Sequence, residues 1–260
     1  MGHSTRPARA DQQRSRLLLI VAACAIGCFP ASGASSDEQV VLALRGQAQE
    51  AAQWCWAAGS QSVLQFLAPE LGAEVCQCRQ VEARSPGIRC CASPASCAPA
   101  QPLNADCRDL GWPDLRRYGF DFETTCDPLP QGRWESCRGR PLGWEALVAE
   151  LRYGRPVLRA YRRGQEDDSG VGHMVVILGY RTAVKGREER RFVLVFDPRR
   201  ICRETCSQAE QPCCHADARW TPYDESLAGP DYSHWVDIFG IRKSRMRAER
   251  VTSRRQDRPR

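Results

Sequence analysis

The chain has 260 residues, of which 42% are hydrophobic and 26% charged, a balance that supports a folded core and excludes a globally disordered protein. Its formal net charge is +6, but the basic excess lies mainly in residues 241–260, whereas the body of the chain is mildly acidic. This distribution argues against nucleic acid as a partner, and we expect residues 241–260 to form a basic, disordered tail. The 15 cysteines point to an oxidising compartment or to bound metal.

The first 34 residues have the pattern of a targeting segment. Arginines precede an apolar run over residues 17–27, which is too short to span a bilayer as an ordinary helix and suits a signal peptide. Small residues fit cleavage after Ala34, whereas Cys24 and Cys28 each end a lipobox-like sequence in which the cysteine would carry lipid. We therefore expect an exported protein, periplasmic, envelope-associated or secreted, with a lipid anchor at Cys28 or Cys24 as an open alternative.

Cysteine parity singles out Cys55. Thirteen cysteines lie beyond residue 34: eight between Cys76 and Cys137, four between Cys202 and Cys214, and Cys55. Both clusters are even and can close into disulfide bonds, which suits an exported protein. The alternative for the second cluster is a zinc site, with candidate ligands Cys202, Cys206, Cys213, Cys214 and His215. We favour disulfides and expect no metal or other cofactor.

Cys55 lies where a helix is predicted to begin. Apolar and small residues recur with helical spacing from Ala57 to Leu67, and Pro69 limits the helix to about residue 68. Unpaired N–H groups and the positive end of the helix dipole stabilise a thiolate in the first turn. Because the thiolate is the nucleophilic form of cysteine, Cys55 is a candidate nucleophile. The alternative is a buried structural cysteine between two tryptophans.

His173 is the candidate base for this thiol. It lies at the start of an apolar run that ends near Tyr180 and predicts a buried strand. After this run we expect a polar connection over residues 181–191 and a second strand over residues 192–196. If the two strands form an antiparallel hairpin, His173 lies beside Asp197, which can orient one imidazole nitrogen and leave the other for the thiol. Taken singly, each residue also fits a strand end or a turn.

Together these residues resemble the papain-like cysteine peptidases, and more narrowly the bacterial branch that includes secreted and effector proteases. The resemblance rests on Gln49, Cys55-Trp56-Ala57-Ala58, Gly172-His173 and Asp197-Pro198 in this order, with supporting similarity over residues 144–158. It implies an α+β, papain-like two-lobed fold over residues 35–240 with disulfide-rich insertions. The helical, cysteine-rich lobe would span about residues 38–140 and the antiparallel β lobe about 141–240.

The resemblance also implies a thiol-dependent peptidase that cleaves peptide bonds through an acyl-enzyme. Cys55 would be the nucleophile, His173 the general base and acid, and Asp197 the residue that orients the imidazole. Gln49 would form the oxyanion hole with the backbone N–H of Cys55, and Gln53 and Gln47 are the alternative donors. We expect a monomer that acts on a peptide or protein substrate.

Two other functions remain open from the sequence. Transglutaminase-like acyl transfer uses the same order of cysteine, histidine and aspartate. A catalytically inactive, disulfide-stapled envelope module that binds a peptide or protein could keep these residues without using them.

Overall fold

The computed structural model describes residues 37–84, 87–108, 111–126, 137, 139–163, 172–186, 188–199, 218–229 and 232–244. The predicted signal segment with Cys24 and Cys28, the cysteines of the zinc alternative and residues 245–260 lie outside this range. The described residues form an α+β fold built on an antiparallel sheet. Its helices are α1 (Cys55–Leu67), α2 (Gln77–Arg84) and α3 (Trp144–Arg152). Its strands are β1 (Gln39–Val41), β2 (Phe120–Thr124), β3 (Val157–Arg163), β4 (Gly172–Lys185), β5 (Glu188–Phe196), β6 (Arg219–Pro222), β7 (Ala228–Gly229) and β8 (Tyr232–Lys243).

The strands of the sheet follow the order β2-β8-β3-β4-β5-β6, with β1 paired to β4 and β7 paired to β8. The predicted hairpin is present, because β4 and β5 pair antiparallel with Val176 opposite Phe196. The predicted polar connection over residues 181–191 is wrong: both strands continue through it, with Thr182 opposite Arg191. The chain reverses near Gly186, whose φ of +68° is a conformation that glycine adopts without steric cost.

Helix α1 begins at Cys55 and ends at Leu67, as the spacing and Pro69 predicted. It lies close against β3 and β4 because its buried Gly59 faces them. A methyl group at Gly59 would lie 3.1 Å from Cδ2 of Leu158 and 3.6 Å from Cγ2 of Val176. This close packing fixes the first turn of α1 relative to the sheet.

Two strands of the sheet, β1 and β2, come from the segment predicted to form the mainly helical lobe. Strand β1 pairs with β4 and β2 with β8. One hydrophobic core joins side chains of α1, α3 and the sheet. Strand β8 runs to Lys243 and buries Ile241, so residues 241–243 belong to the sheet and not to the predicted tail.

The cysteine-rich segment is closed by disulfide bonds. The four bonds in the described residues are Cys76–Cys97, Cys78–Cys91, Cys90–Cys107 and Cys126–Cys137. The first cluster of eight cysteines therefore pairs within itself, as its even number predicted, and Cys55 keeps a free thiol. These bonds are compatible with an extracellular location. Among the described helices, none combines the length and apolar character needed to cross a bilayer.

Candidate active site

Cys55 sits at the start of α1, and its neighbours hold it there. Its side chain is buried, with 6% of the residue exposed. The preceding Trp54 is fully buried, and its indole N–H donates a hydrogen bond of 2.7 Å to the carbonyl of Cys107. Because Cys107 is bonded to Cys90, the disulfide-linked segment anchors the beginning of α1. The first turn of the helix contains no acidic residue that would oppose negative charge on the thiol.

The β4–β5 hairpin brings His173 and Asp197 together. His173 is the second residue of β4, and Asp197 directly follows β5. Nε2 of His173 lies 2.6 Å from Oδ1 of Asp197, and the backbone N–H of Arg199 donates to the same oxygen at 2.9 Å. The imidazole is 17% exposed and the carboxylate 35% exposed, so the pair lies at the edge of the core. The carboxylate thus fixes both the position and the orientation of the ring.

These contacts set the charge of both groups. Burial alone would lower the pKa of His173, but the hydrogen bonds and charges of Asp197 and Cys55 outweigh it and raise the pKa to about 9. Burial alone would raise the pKa of Asp197, but the hydrogen bond and charge of His173 outweigh it and hold that pKa below its ordinary value. At neutral pH the pair is therefore an imidazolium and a carboxylate.

The second ring nitrogen of His173 is the one available to Cys55. Nδ1 is buried and bonds to no nitrogen or oxygen of the described residues. The charge and hydrogen-bonding capacity of Cys55 raise the pKa of this histidine, and both residues line the same cavity. Since Nε2 is bound to Asp197, Nδ1 is the ring nitrogen left to serve the thiol.

The loop that carries Gln49 is tied to the same region. The backbone N–H of Gln49 donates to the carbonyl of Pro198 at 3.0 Å, which places the loop beside the Asp197 turn. Buried Gln77 of α2 also holds the loop: it accepts from the backbone N–H of Glu50 and donates to the carbonyl of Ala48, both at 2.8 Å. The Gln49 amide itself donates to the carbonyl of Ala51 at 3.1 Å.

A small cavity of about 30 Å³ opens at the thiol and the imidazole. Its lining residues are Gln53, Cys55, Trp56, Gly111, Trp112, Ala160, Gly172, His173, Met174 and Trp235. Gln49 is not among them, whereas Gln53, one of the two alternative oxyanion donors, is. Gln53 has a φ of +69°, the left-handed conformation that few residues other than glycine adopt. No sequence motif marks Trp112 and Trp235, because only the folded chain brings these residues to the thiol.

The other described histidine, His234, does not join this group. His234 lies in β8, where its Nε2 is 3.3 Å from Oδ1 of Asp237. That carboxylate forms a fully buried pair with Arg159, with Nε to Oδ1 at 2.7 Å and Nη2 to Oδ2 at 2.9 Å. This cluster cross-links β3 and β8 and is not part of the cavity lining. His215 lies outside the described residues.

No protein-family model matches the chain, and the search of curated proteins found no match. The papain-like resemblance and the function it implies therefore depend on the motifs and on the geometry at Cys55.

Proposed function

We propose that this protein is an exported, papain-like cysteine peptidase that hydrolyses peptide bonds with Cys55, His173 and Asp197. The observation that carries the proposal is that one imidazole contacts a carboxylate and lines the same cavity as a free thiol. A thiol at a helix start, a base beside it and a third group that orients the base are the parts that nucleophilic acyl transfer needs. The antiparallel sheet and the four disulfides also fit this reading.

The raised pKa of His173 supports the first chemical step. In this proposal the proton of the Cys55 thiol already resides on His173 in the resting protein, and the imidazolium stabilises the neighbouring thiolate by its charge. The thiolate sulfur then attacks the carbonyl carbon of the substrate. His173 gives the proton to the departing amine, which leaves a thioester on Cys55. Water, activated by the now neutral imidazole, hydrolyses this thioester and releases the second product.

Negative charge on the carbonyl oxygen needs fixed donors during the attack. The backbone N–H of Cys55, in the first turn of α1, is one of the groups with no partner inside the helix. Gln49 is the second donor in this proposal, because its amide has two N–H bonds and Ala51 takes only one of them. Gln53 remains the alternative, since it lines the cavity.

The disulfide bonds support the assignment to an oxidising compartment outside the cytoplasm. The signal segment and the lipid anchor at Cys28 or Cys24 are proposed from the sequence alone.

Covalent labelling tests the proposal. An epoxide directed at peptidase thiols should modify the folded protein once, at Cys55, as located by mass spectrometry of the fragments. His173→Ala should slow labelling by about 10²-fold or more, because the thiol loses its base. Cys55→Ala should show no adduct. Unlabelled Cys55 in a folded protein would contradict the proposal and favour the inactive binding module.

A further inference from the structure

The cavity at Cys55 is walled by aromatic side chains. Apart from Cys55 and His173, none of the described residues that line it carries an ionisable group. Trp112 and Trp235 meet there edge to face, with ring centroids 4.8 Å apart and an interplanar angle of 86°. The wall beside the thiol is therefore apolar and made largely of rigid rings.

Trp112 enters the cavity from the disulfide-linked segment rather than from the sheet. The neighbouring Gly111 lies so close to Trp56 that a methyl group there would be 2.3 Å from the indole ring. Arg84 of α2 donates from Nη1 to the carbonyl of Trp112 at 3.2 Å. The segment before it is fixed by the Cys90–Cys107 bond. These contacts hold the Trp112 backbone against the first turn of α1.

The space that remains is small. A cavity of about 30 Å³ holds on the order of one or two water molecules. A leucine side chain, with four carbon atoms, is larger than this space, whereas a hydrogen or a single methyl group on the substrate is not.

We propose that Trp112 determines substrate specificity by limiting the side chain that the cavity accepts beside Cys55. The substrates would be peptides in which glycine or alanine supplies the carbonyl of the cleaved bond. This inference rests on the proposed peptidase function, because it assigns the cavity to the acyl side of that bond.

Two peptidyl chloromethyl ketones that differ only in their last residue, glycine or leucine, provide the test. In the wild-type protein the glycyl reagent should label Cys55 at least about 10-fold faster than the leucyl reagent, since a small pocket discriminates against excess bulk by this order of magnitude. Trp112→Ala should remove this preference, mainly by raising the leucyl rate. Each rate is divided by the iodoacetamide rate of the same variant, so that a change in the reactivity of Cys55 itself does not count as a change in preference.

Trp220→Ala is the matched control. Trp220 is also half-buried, but it stacks with Arg181 and does not line the cavity, so its removal should leave the glycyl preference as in the wild type. Trp112→Phe keeps a smaller ring and should give an intermediate preference, which provides a second test if Trp112→Ala does not fold.

Equal glycyl and leucyl rates in the wild type would overturn the inference, as would an unchanged preference in folded Trp112 variants. In both cases Cys55 is still labelled, so the proposed function stands. Failure of every reagent to label Cys55 would overturn the function and the inference together.

Discussion

The charge on His173 depends on one neighbour more than on any other residue. Asp197 accepts its Nε2–H at 2.6 Å and carries the negative charge that favours the imidazolium. Without this carboxylate, burial would pull the pKa of the ring downwards. The pKa of His173 therefore reports whether the Asp197 carboxylate is bound to the ring.

Asp197→Asn keeps an oxygen that accepts a hydrogen bond but removes the charge. We expect the pKa of His173 to fall from about 9 toward its ordinary value of 6.5. The imidazole can be titrated by NMR, with its resonance assigned through a His173→Gln variant. Asp121→Asn, at an exposed position of β2, is the control and should leave this pKa unchanged.

Asp197→Asn should also change how the free energy of unfolding depends on pH. The raised pKa of His173 contributes stability that is complete below pH 6.5 and lost as the pH rises through about 9. The lowered pKa of Asp197 contributes stability that is complete above pH 3.8 and lost as the pH falls through the lowered value. The difference in unfolding free energy between wild type and variant should thus be largest between pH 3.8 and 6.5. Urea unfolding that shows a constant difference up to pH 10 would contradict the pairing.

The sequence predicted that His173 lies beside Asp197, but it did not predict the residues that surround the candidate site. Cys55 was identified because it is the one cysteine left over from two even clusters. The contact of His173 with Asp197 followed from hairpin geometry, in which the start of one strand lies beside the end of the next. The distances from Cys55 to Trp112 and Trp235 depend on how a disulfide-linked segment and β8 pack. No periodicity in the chain encodes that packing.

At the scale of elements, apolar periodicity predicted the helix α1 correctly, whereas polar composition predicted a connection where strands are found. The start and end of α1 followed from apolar spacing and Pro69, whereas the polar residues 181–191 read as a loop but form paired strands. Polar side chains are tolerated there because this part of the hairpin is exposed or half-buried, so hydrophobic alternation does not mark it. The strands β1 and β2 are short and depend on partners distant in sequence.

The loop around Gln49 depends on helix α2 for its position. Gln77→Ala removes the hydrogen bonds to Ala48 and Glu50, and because both backbone groups are only partly buried, the loss of each bond costs about 0.5–1.5 kcal/mol. We expect the unfolding free energy to fall by that order and kcat to fall by up to about 100-fold, since a displaced loop misplaces the oxyanion donor. Peptide hydrolysis and urea unfolding of the same preparation measure both.

Gln80→Ala is the control for this element. Gln80 is equally buried in α2, but its amide binds the carbonyls of Ala57 and Val75 and not the Gln49 loop. Its loss should reduce stability to a similar extent with a smaller effect on kcat. A Gln77→Ala variant that is destabilised but keeps full kcat would show that the loop does not contribute to catalysis.

At the scale of the whole molecule, Cys55 lies between a part stabilised by apolar packing and a part stabilised by disulfide bonds. The sheet and α1 bring a thiol, an imidazole and a carboxylate together through close packing of apolar side chains. The cysteine-rich segment has short helices and irregular backbone, and cross-links supply much of its order by restricting the unfolded chain. Through Trp54 and Trp112 this segment supports the helix start and narrows the cavity. The free thiol thus lies at the junction of both parts.

Hydrolysis of a mixed peptide library by the wild-type protein and by Cys55→Ala tests the central claim most directly. The account predicts cleavage by the wild type, no cleavage by the variant, and nearly equal melting temperatures, because the substitution removes one buried sulfur atom from a site that bears no disulfide. Cleavage that persists in Cys55→Ala would contradict the assignment of this thiol as the nucleophile.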